Sequence, residues 1–307
     1  MTHSQHLHGQ HPHEHGETPS HGHSHSHGHS HGESQGHARS HEHSDDQGMA
    51  EMLDMDAALQ AVHLAEITDW VAGLAGAPEA IVDLGSGTGT GTLALAERFE
   101  KATVFAVDNS EQMLGRLAAK AEARGLDGRV IKVHADLDVQ WPEVGTADLV
   151  WAASSIHHVA DPDKVFSEVL AALNPGGLFA VVEMDSFPRF LPEDIGFGEP
   201  GLEDRCHRLI DAQGWNAHPD WQGQLEAAGF EVEQRNFSYE LAPEPSAMAH
   251  YAQLWLGRTR TGLEDKLSPE DLASMDALLD KENPAGLGHR TDLVLRGSRT
   301  VWAARRR

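Results

Sequence analysis

The stretch Ile81-Val82-Asp83-Leu84-Gly85-Ser86-Gly87-Thr88-Gly89 decides the fold of this chain. Its apolar start is typical of a short buried strand, and the residues from Thr88 onward are typical of a helix. The glycines between them allow positive φ angles and a close approach of a ligand to the backbone, and the helix start offers unpaired N–H groups. The stretch therefore predicts a strand, a glycine turn and a helix, with a ligand bound at the turn.

The spacing of the glycines distinguishes this turn from two common nucleotide-binding motifs. A dinucleotide fingerprint that starts at Gly85 requires Gly or Ala at position 90, where Thr90 stands. A phosphate-binding P-loop requires Gly-Lys-Ser or Gly-Lys-Thr, and the turn contains no lysine. The sequence thus disfavours a nicotinamide-dependent oxidoreductase, although such enzymes use a glycine turn of similar geometry.

Strands and helices alternate from the turn onward. Ser110 suits the N-cap of one helix, and Asp161-Pro162 opens another. Because strands separated by helices form right-handed crossovers, the pattern predicts a parallel sheet with helices on both faces. The predicted strands are 80–83, 102–108, 129–135, 147–152 and 178–184, with helices that include 88–99 and 110–124.

The pattern becomes less regular after residue 185. It predicts helices at 202–213 and 220–228, a strand at 230–241, two helices within 246–282, and one or two strands within 291–305, the better at 299–304. The predicted fold class is therefore α/β, with a Rossmann-like, doubly wound, mostly parallel sheet of seven strands. We expect the insertion at about 246–282 to lie over the carboxyl ends of the strands, where open α/β sheets bind ligands.

The first 48 residues differ in composition from the rest of the chain. They hold 15 of the 23 histidines and almost no apolar side chain, so they cannot bury enough surface to offset the entropy of ordering. We predict a disordered histidine-rich tail at 1–48 and a folded domain at 49–307. Within that domain, 49–185 is the expected cofactor-binding half and 186–307 the substrate-side half.

Histidines that alternate with glycine and serine on a flexible segment can together bind a transition metal such as Zn²⁺, Ni²⁺, Co²⁺ or Cu²⁺. The alternative is a solvated low-complexity tail without a physiological metal. The candidate ligands are His21, His23, His25, His27, His29 and His31.

Charge and composition limit the classes of partner that we expect this protein to bind. With 23 Lys and Arg against 48 Asp and Glu, the formal net charge of −25 disfavours nucleic acid and anionic membranes and favours a small-molecule partner. The single cysteine, Cys206, excludes an internal disulfide and a cysteine-based zinc site. Since no apolar run reaches transmembrane length and the start resembles no signal peptide, we expect a cytoplasmic protein. The oligomeric state stays open.

Several segments follow the glycine turn in a recognisable order. They are Val107-Asp108-Asn109-Ser110, His134-Ala135-Asp136-Leu137, 148–158 and Leu173-Asn174-Pro175-Gly176-Gly177. Together with the turn they resemble the motifs of the class I S-adenosylmethionine (SAM) dependent methyltransferases, in particular the small-molecule branch that includes ubiquinone and menaquinone methyltransferases. The resemblance covers about 50–185. It implies SAM as cofactor and leaves the methyl acceptor open.

The resemblance also implies roles for individual residues. Asp108 would accept hydrogen bonds from both ribose hydroxyls, and Asp136 with the backbone of Leu137 would read the adenine. Asn109 and Met113 would border the adenine, unless Met113 belongs to the core and Asp136 only caps a turn. The other implied cofactor-binding residues are Asp83 (which orients the methionine end or only holds the turn), Gly85, Ser86, Gly87, Gly89 and Ser154.

The segment that ends in His157 and His158 borders the transferred methyl group in this family. Either histidine could serve as general base for a hydroxyl or amine acceptor, because histidine titrates near working pH, or could simply pack against the loop. Glu183 would hold the acceptor or be structural. Tyr251 and Trp255 are candidate substrate contacts whose helical spacing also suits packing.

The resemblance predicts an enzyme that moves a methyl group from SAM to an O, N or C nucleophile of a small molecule. The alternative is a SAM-binding regulatory or metal-buffering protein that uses the histidine-rich tail. Turnover on small molecules, compared between full-length and tail-deleted protein, separates the two.

Overall fold

The computed structural model describes residues 48–215 and 218–307. The helices in these ranges are α1 (48–59), α2 (Ala61–Ala75), α3 (Thr90–Arg98), α4 (Glu111–Ala123), α5 (Pro162–Ala172), α6 (Leu202–Gln213), α7 (Gln222–Ala228), α8 (Pro245–Gly262) and α9 (Pro269–Leu279). The strands are β1 (Ala80–Leu84), β2 (Thr103–Asp108), β3 (Val130–His134), β4 (Ala147–Ala153), β5 (Leu173–Met184), β6 (Glu231–Leu241) and β7 (Leu295–Arg305).

The strands form one seven-stranded sheet in the order β3-β2-β1-β4-β5-β7-β6. Strands β1 to β5 pair in parallel, and β7 pairs antiparallel with both β5 and β6. The predicted Rossmann-like, mostly parallel sheet of seven strands is confirmed. Because the strand order reverses at β1, the glycine turn lies at the crevice between β1 and β4, where open α/β sheets bind ligands.

Helices cover both faces of the sheet because successive side chains of the central strands point to opposite sides. On β1, Ile81 packs into a core cluster with Ile67 of α2 and Leu93 of α3. The next residue, Val82, packs into a second cluster with Phe166 of α5. The continuous apolar run in the strands thus reflects burial on both faces.

Several helices begin at side-chain caps, two of which the sequence predicts. Ser110 Oγ accepts the Met113 N–H at 3.3 Å at the start of α4, as predicted. Asp161 Oδ1 accepts the Lys164 N–H at 3.0 Å at the start of α5, with proline at the first helical position. Ser268 caps α9 in the same way. These caps satisfy N–H groups that a helix start otherwise leaves unpaired.

Two strand boundaries differ from the prediction. Strand β5 begins at Leu173 instead of 178, and β7 is one continuous strand from Leu295 to Arg305. At the start of β5, Gly176 N–H donates to the Arg306 carbonyl at 3.0 Å, and Arg306 N–H donates to the Gly177 carbonyl at 2.9 Å. The residues added at the start of β7 pair instead with the end of β6. Pairing with a distant segment therefore extends the strand through a sequence that locally favours a turn.

The helices after β5 build a third apolar cluster above the sheet edge. It joins α6, α8 and α9 through residues such as Cys206, Leu256 and Met275, and Met52 brings α1 into it. Within residues 48–215 and 218–307, no helix is both long enough and apolar enough to cross a membrane.

Candidate functional site

A cavity of about 1550 Å³ opens at the carboxyl ends of the strands. Its walls come from the glycine turn, the ends of β2 and β4, helix α1 and helix α8. Helix α8 belongs to the segment predicted to lie over the strand ends, and it shares the cavity with them. The cavity therefore lies between the carboxyl ends of the strands and the helical cluster that covers them.

The glycine turn adopts backbone angles that favour glycine. Gly85 and Gly89 have φ angles of 70° and 92°, in the left-handed region. A Cβ atom at Gly85 would collide with the side chain of Ser155, and one at Gly89 would lie 2.7 Å from Leu117 Cγ. The turn thus needs glycine both for its conformation and for close packing.

Asp108 ends β2 directly beside this turn. Its Oδ2 accepts the Gly87 N–H at 2.8 Å, and its Oδ1 accepts the Ser110 N–H at 2.8 Å. Both bonds hold the carboxylate in place at the cavity wall. Since each carboxylate oxygen can accept more than one hydrogen bond, Asp108 keeps the capacity to bind a diol.

Helix α1 is held over the turn by a partly buried polar contact. Asp54 accepts the Thr88 hydroxyl at 2.7 Å and also pairs with Lys120 of α4. Lys120 in turn donates to the Thr88 carbonyl at 3.0 Å. Through these bonds the first described helix closes one side of the cavity, a role that its apolar stripe did not reveal.

The wall beneath the turn contains buried polar groups. Burial raises the pKa of Asp83 to about 7, although the Thr92 hydroxyl donates to its carboxylate at 2.5 Å. Ser86 Oγ and Trp151 Nε1 are buried, line the cavity and have no hydrogen-bond partner among the described residues. Unpartnered buried groups are costly, so they indicate a polar ligand at this position.

The residues predicted to surround the adenine also line the cavity. Asn109, Met113, Asp136 and Leu137 are all on its wall. Asp136 Oδ1 accepts the Asp138 N–H at 3.0 Å, so it caps a turn while its other oxygen stays available. Met113 is 7% exposed, so the same side chain is both packed and part of the wall.

Ser154 follows β4 and is the one residue other than glycine with a positive φ angle, 52°, in the described ranges. Its hydroxyl accepts a hydrogen bond from Arg299 Nη1 of β7 at 3.3 Å. Arg299 also forms an ion pair with Asp56 of α1, with Nη2 and Oδ2 2.9 Å apart. Both charged residues line the cavity.

His157 and His158 follow in a short 3-10 turn and both reach the cavity. His157 Nδ1 lies 2.8 Å from Glu183 Oε2 at the end of β5, while burial and the neighbouring His157 lower the pKa of His158. The Glu183 side chain is 1% exposed and is not among the described lining residues. Glu183 thus contacts His157, whereas the sequence left open whether Glu183 holds the acceptor or is structural.

The two aromatic candidates of α8 differ in position. Trp255 lines the cavity. Tyr251 is fully buried outside the described lining, and its hydroxyl donates to Asp56 Oδ1 at 2.7 Å. The hydroxyl of Tyr251 therefore holds Asp56, whereas the sequence left open whether Tyr251 contacts substrate or packs in the core.

Five further residues of the cavity wall, Asp56, Gln60, His63, Arg258 and Arg299, were not predicted from the sequence. The available signal was weak but present: Asp56, Gln60 and His63 interrupt the apolar pattern of α1 and α2 with polar side chains at helical spacing. Arg299 opens the predicted strand 299–304 with a charge, directly across from Met184 at the end of β5. Only the strand pairing brings it to the site.

The six histidines proposed as metal ligands, His21 to His31, lie outside the described residues. In the ranges 48–215 and 218–307, no group of three or more His, Cys, Asp or Glu is arranged to hold a metal ion. The metal therefore remains a prediction about the tail alone.

Comparison with known proteins finds a matching domain family and several relatives. A family described as a methyltransferase domain matches residues 81–177. A demethylmenaquinone methyltransferase of Thermus thermophilus is 38% identical over 113 residues, covering 37% of this chain and 50% of that protein. A trans-aconitate 2-methyltransferase of Acidovorax sp. is 38% identical over 110 residues, covering 36% of this chain and 40% of that protein. The chain thus spans about half the length, or less, of these curated relatives.

Two further relatives extend the match. A malonyl-[acyl-carrier protein] O-methyltransferase of Methylovorus sp. is 28% identical over 238 residues, covering 63% of this chain and 80% of that protein. A solved structure from Bacillus halodurans C-125, provisionally described as a methyltransferase, has a TM-score of 0.50 at 22% identity and covers 79% of this chain and 98% of that one. This last likeness supports the fold alone. Residues 81–177 thus match a methyltransferase domain, and the curated relatives named above are methyltransferases.

Proposed function

We propose that this chain is a methyltransferase that moves a methyl group from SAM to an O, N or C nucleophile of a small molecule. The observation that carries the proposal is the Asp108 carboxylate, held by the Gly87 and Ser110 N–H groups at the wall of a large cavity. A carboxylate fixed beside a glycine turn suits the two hydroxyls of a ribose, because hydrogen bonds to a charged acceptor are the stronger kind.

The remaining walls fit the rest of SAM. Asp136, Leu137, Ser86 and Asp83 line the same cavity. In this proposal Asp136 and Leu137 would read the adenine, and Ser86 and Asp83 would contact the methionine end. The relatives support methyl transfer but differ in acceptor, since their names specify demethylmenaquinone, trans-aconitate and a malonyl-acyl-carrier protein. The named acceptors therefore define no single substrate for this chain.

Bound SAM supplies an activated methyl group on a positively charged sulfur. The protein's own contribution is alignment of the acceptor, exclusion of water and removal of a proton. Alignment alone is worth about 7–11 kcal/mol in well-oriented systems. Helices α1 and α8 close the cavity above the strand ends and supply that enclosure.

His157 is the residue that we assign as proton acceptor. His157 Nδ1 lies 2.8 Å from Glu183 Oε2, and in the neutral tautomer whose Nδ1–H donates to this carboxylate, Nε2 can accept a proton from an acceptor O–H or N–H. SAM, held by Asp108 and the glycine turn, would supply the methyl group, and the proton of the acceptor atom would pass to Nε2 of His157. The buried Glu183 then faces a protonated imidazole and stabilises it.

Equilibrium binding of SAM and S-adenosylhomocysteine by calorimetry tests the shared part of this proposal. Asp108→Ala removes the ribose acceptor, so we expect both ligands to bind with about 1.5–3 kcal/mol less free energy, roughly 10- to 150-fold more weakly. Asp127→Ala is the control, because Asp127 is exposed, lies outside the described cavity lining and has no partner among the described residues. Absence of saturable binding by the unaltered protein would overturn the proposal. Unchanged affinity in Asp108→Ala would overturn the ribose assignment.

A further inference from the structure

Two arginines line the cavity of a chain whose net charge is −25. Arg299 lies on β7 and Arg258 on α8, two segments that are distant in sequence from the glycine turn and from Asp108. Positive charge is scarce in this protein, so its position at the site needs an explanation.

Arg299 is buried, and most of its hydrogen-bonding capacity is unused. Its side chain is 12% exposed, with one bond to Asp56 at 2.9 Å and a longer one to Ser154 at 3.3 Å. A guanidinium has five N–H donors, and the others have no acceptor among the described residues. They are available to a ligand in the cavity.

Asp56 neutralises Arg299 only in part. Its Oδ2 accepts Arg299, while its Oδ1 accepts the Tyr251 hydroxyl at 2.7 Å and the side-chain amide of Gln60. Three donors therefore share one carboxylate. His63 beside them adds no positive charge at neutral pH, because burial and the nearby Arg299 lower its pKa to about 4.

Position in the sheet places Arg299 on the acceptor side of the cavity. Asp108 ends β2, and the order β2-β1-β4-β5-β7 puts three strands between it and Arg299. The Ser154 hydroxyl that Arg299 contacts follows β4, beyond the glycine turn. A ligand that binds Arg299 would thus lie past the ribose anchor, on the His157 side.

Arg258 adds a second, solvent-accessible cation. Its side chain is exposed and forms no ion pair or hydrogen bond with any residue in the described ranges. In contrast, Arg260 on the same helix is paired with Asp276 and Glu264. An unpaired arginine on the cavity wall is available to a negatively charged group of a ligand.

We propose that the methyl acceptor carries a carboxylate, which the guanidinium of Arg299 holds beside His157, while Arg258 binds a second carboxylate or draws the anion in. This inference rests on the proposed function and names the acceptor's chemical class. A planar carboxylate matches the fork of a guanidinium, and its single charge suits a site where Asp56 is already present.

The test is calorimetric titration of the full-length protein with malonate, succinate, glutarate and adipate, each compared with its neutral diamide, with and without saturating S-adenosylhomocysteine. We expect at least one dicarboxylate to bind tenfold or more tightly than its diamide. Arg258→Gln should weaken that binding at least fivefold and leave affinity for S-adenosylhomocysteine unchanged. Arg208→Gln is the matched control, because Arg208 is exposed, unpaired among the described residues and outside the described cavity lining.

Arg299→Gln and Arg299→Lys extend the test to the buried site. We expect a tenfold or larger loss of dicarboxylate affinity in Arg299→Gln and a smaller one in Arg299→Lys, which keeps the charge without the planar fork. If Arg299→Gln fails to fold, the dicarboxylate affinities of Arg258→Gln and Arg208→Gln still test whether the cavity binds a carboxylate.

Three results would overturn the inference. Dicarboxylates that bind no better than their diamides would refute the substrate class, as would tighter binding of a matched alkyl phosphate. An equal effect of Arg258→Gln and Arg208→Gln would refute the role of Arg258. A loss of S-adenosylhomocysteine affinity in Arg299→Lys, as large as the loss for dicarboxylate, would assign Arg299 to the methionine carboxylate instead. Failure of the unaltered protein to bind S-adenosylhomocysteine at all would refute the proposed function separately.

Discussion

His157 and Glu183 join the ends of two neighbouring strands, β4 and β5, in one hydrogen bond of 2.8 Å. One partner reaches the cavity and the other is buried, so the pair has the geometry of a base and the group that orients it. His158, one position later, lacks a contact of this kind among the described residues. The two histidines are thus distinguishable by experiment.

At the residue scale we predict that His157→Ala lowers kcat by about 10²- to 10⁴-fold, the usual contribution of a general base. Glu183→Gln should lower kcat at least tenfold with little change in KM, because it leaves the imidazole present but misoriented. Initial rates at saturating SAM measure both effects, and affinity for S-adenosylhomocysteine should stay constant.

The double variant provides the discriminating control. If Glu183 acts through His157, Glu183→Gln should cause no further loss of kcat in the His157→Ala background. The effects of residues that act as a unit are not additive. Additive losses would make Glu183 merely structural. A larger effect of His158→Ala than of His157→Ala would move the base to His158.

At the scale of elements, helix α3 shows how the site constrains its surroundings. Gly91 lies in its first turn, where a Cβ atom would stand 2.7 Å from Trp151 Nε1 and 3.3 Å from Asp83 Oδ2. Trp151 is fully buried and cannot move aside. By contrast, a Cβ atom at Gly115 in α4 would meet nothing within 4 Å.

These surroundings predict that replacing glycine by alanine has opposite effects on stability at positions 115 and 91. Gly115→Ala should stabilise the protein by about 0.5–1 kcal/mol, the usual difference between alanine and glycine within a helix. Gly91→Ala should destabilise it by about 1–3 kcal/mol, the cost of overpacking a core. Denaturant unfolding of both variants measures the difference, and a stabilised Gly91→Ala protein would contradict the packing at Trp151.

At the scale of the whole molecule, buried ionisable groups couple global stability to pH. Burial raises the pKa of Asp83 to about 7 from an ordinary value of 3.8. Between these values the folded protein keeps a proton that the unfolded chain has lost, so the contribution of Asp83 to stability falls as pH rises. Below about pH 4 that contribution is fully present.

We therefore expect Asp83→Asn to gain stability relative to the unaltered protein as pH rises from about 4 to 7, by at most about 1.4 kcal/mol per pH unit. Asparagine keeps an oxygen for the Thr92 hydroxyl, so the comparison isolates the charge. Urea unfolding at several pH values provides the measurement, and Asp127→Asn is the exposed control. A constant difference between Asp83→Asn and the unaltered protein across this range would show that Asp83 is ionised in the folded state.

Three apolar clusters organise the molecule, and the cavity lies where they meet. Two of them cover the faces of the sheet, and the third joins the helices after β5 with α1. Segments from both ends of the described chain thereby converge on the strand ends: Asp56 comes from α1, and Arg299 comes from β7.

The sequence by itself determined the sheet and the cofactor side of the site. The alternation of strands and helices, the glycine turn and Asp108 all lie within one local stretch, and elementary periodicity and spacing are enough to interpret them. Parallel topology then follows, because crossovers have one hand. The strand at 299–304 and the helices within 246–282 were predictable for the same reason.

Only the tertiary structure shows which residues come together on the proposed acceptor side of the site. Arg299 is far from Asp56 and Ser154 in sequence, and it meets them because β7 enters the sheet antiparallel beside β5. Likewise, Glu183 faces His157, and Tyr251 faces Asp56, through contacts between segments that are distant in sequence. Local propensity carries no information on such pairings, because they depend on how strands register and on which surfaces the covering helices bury.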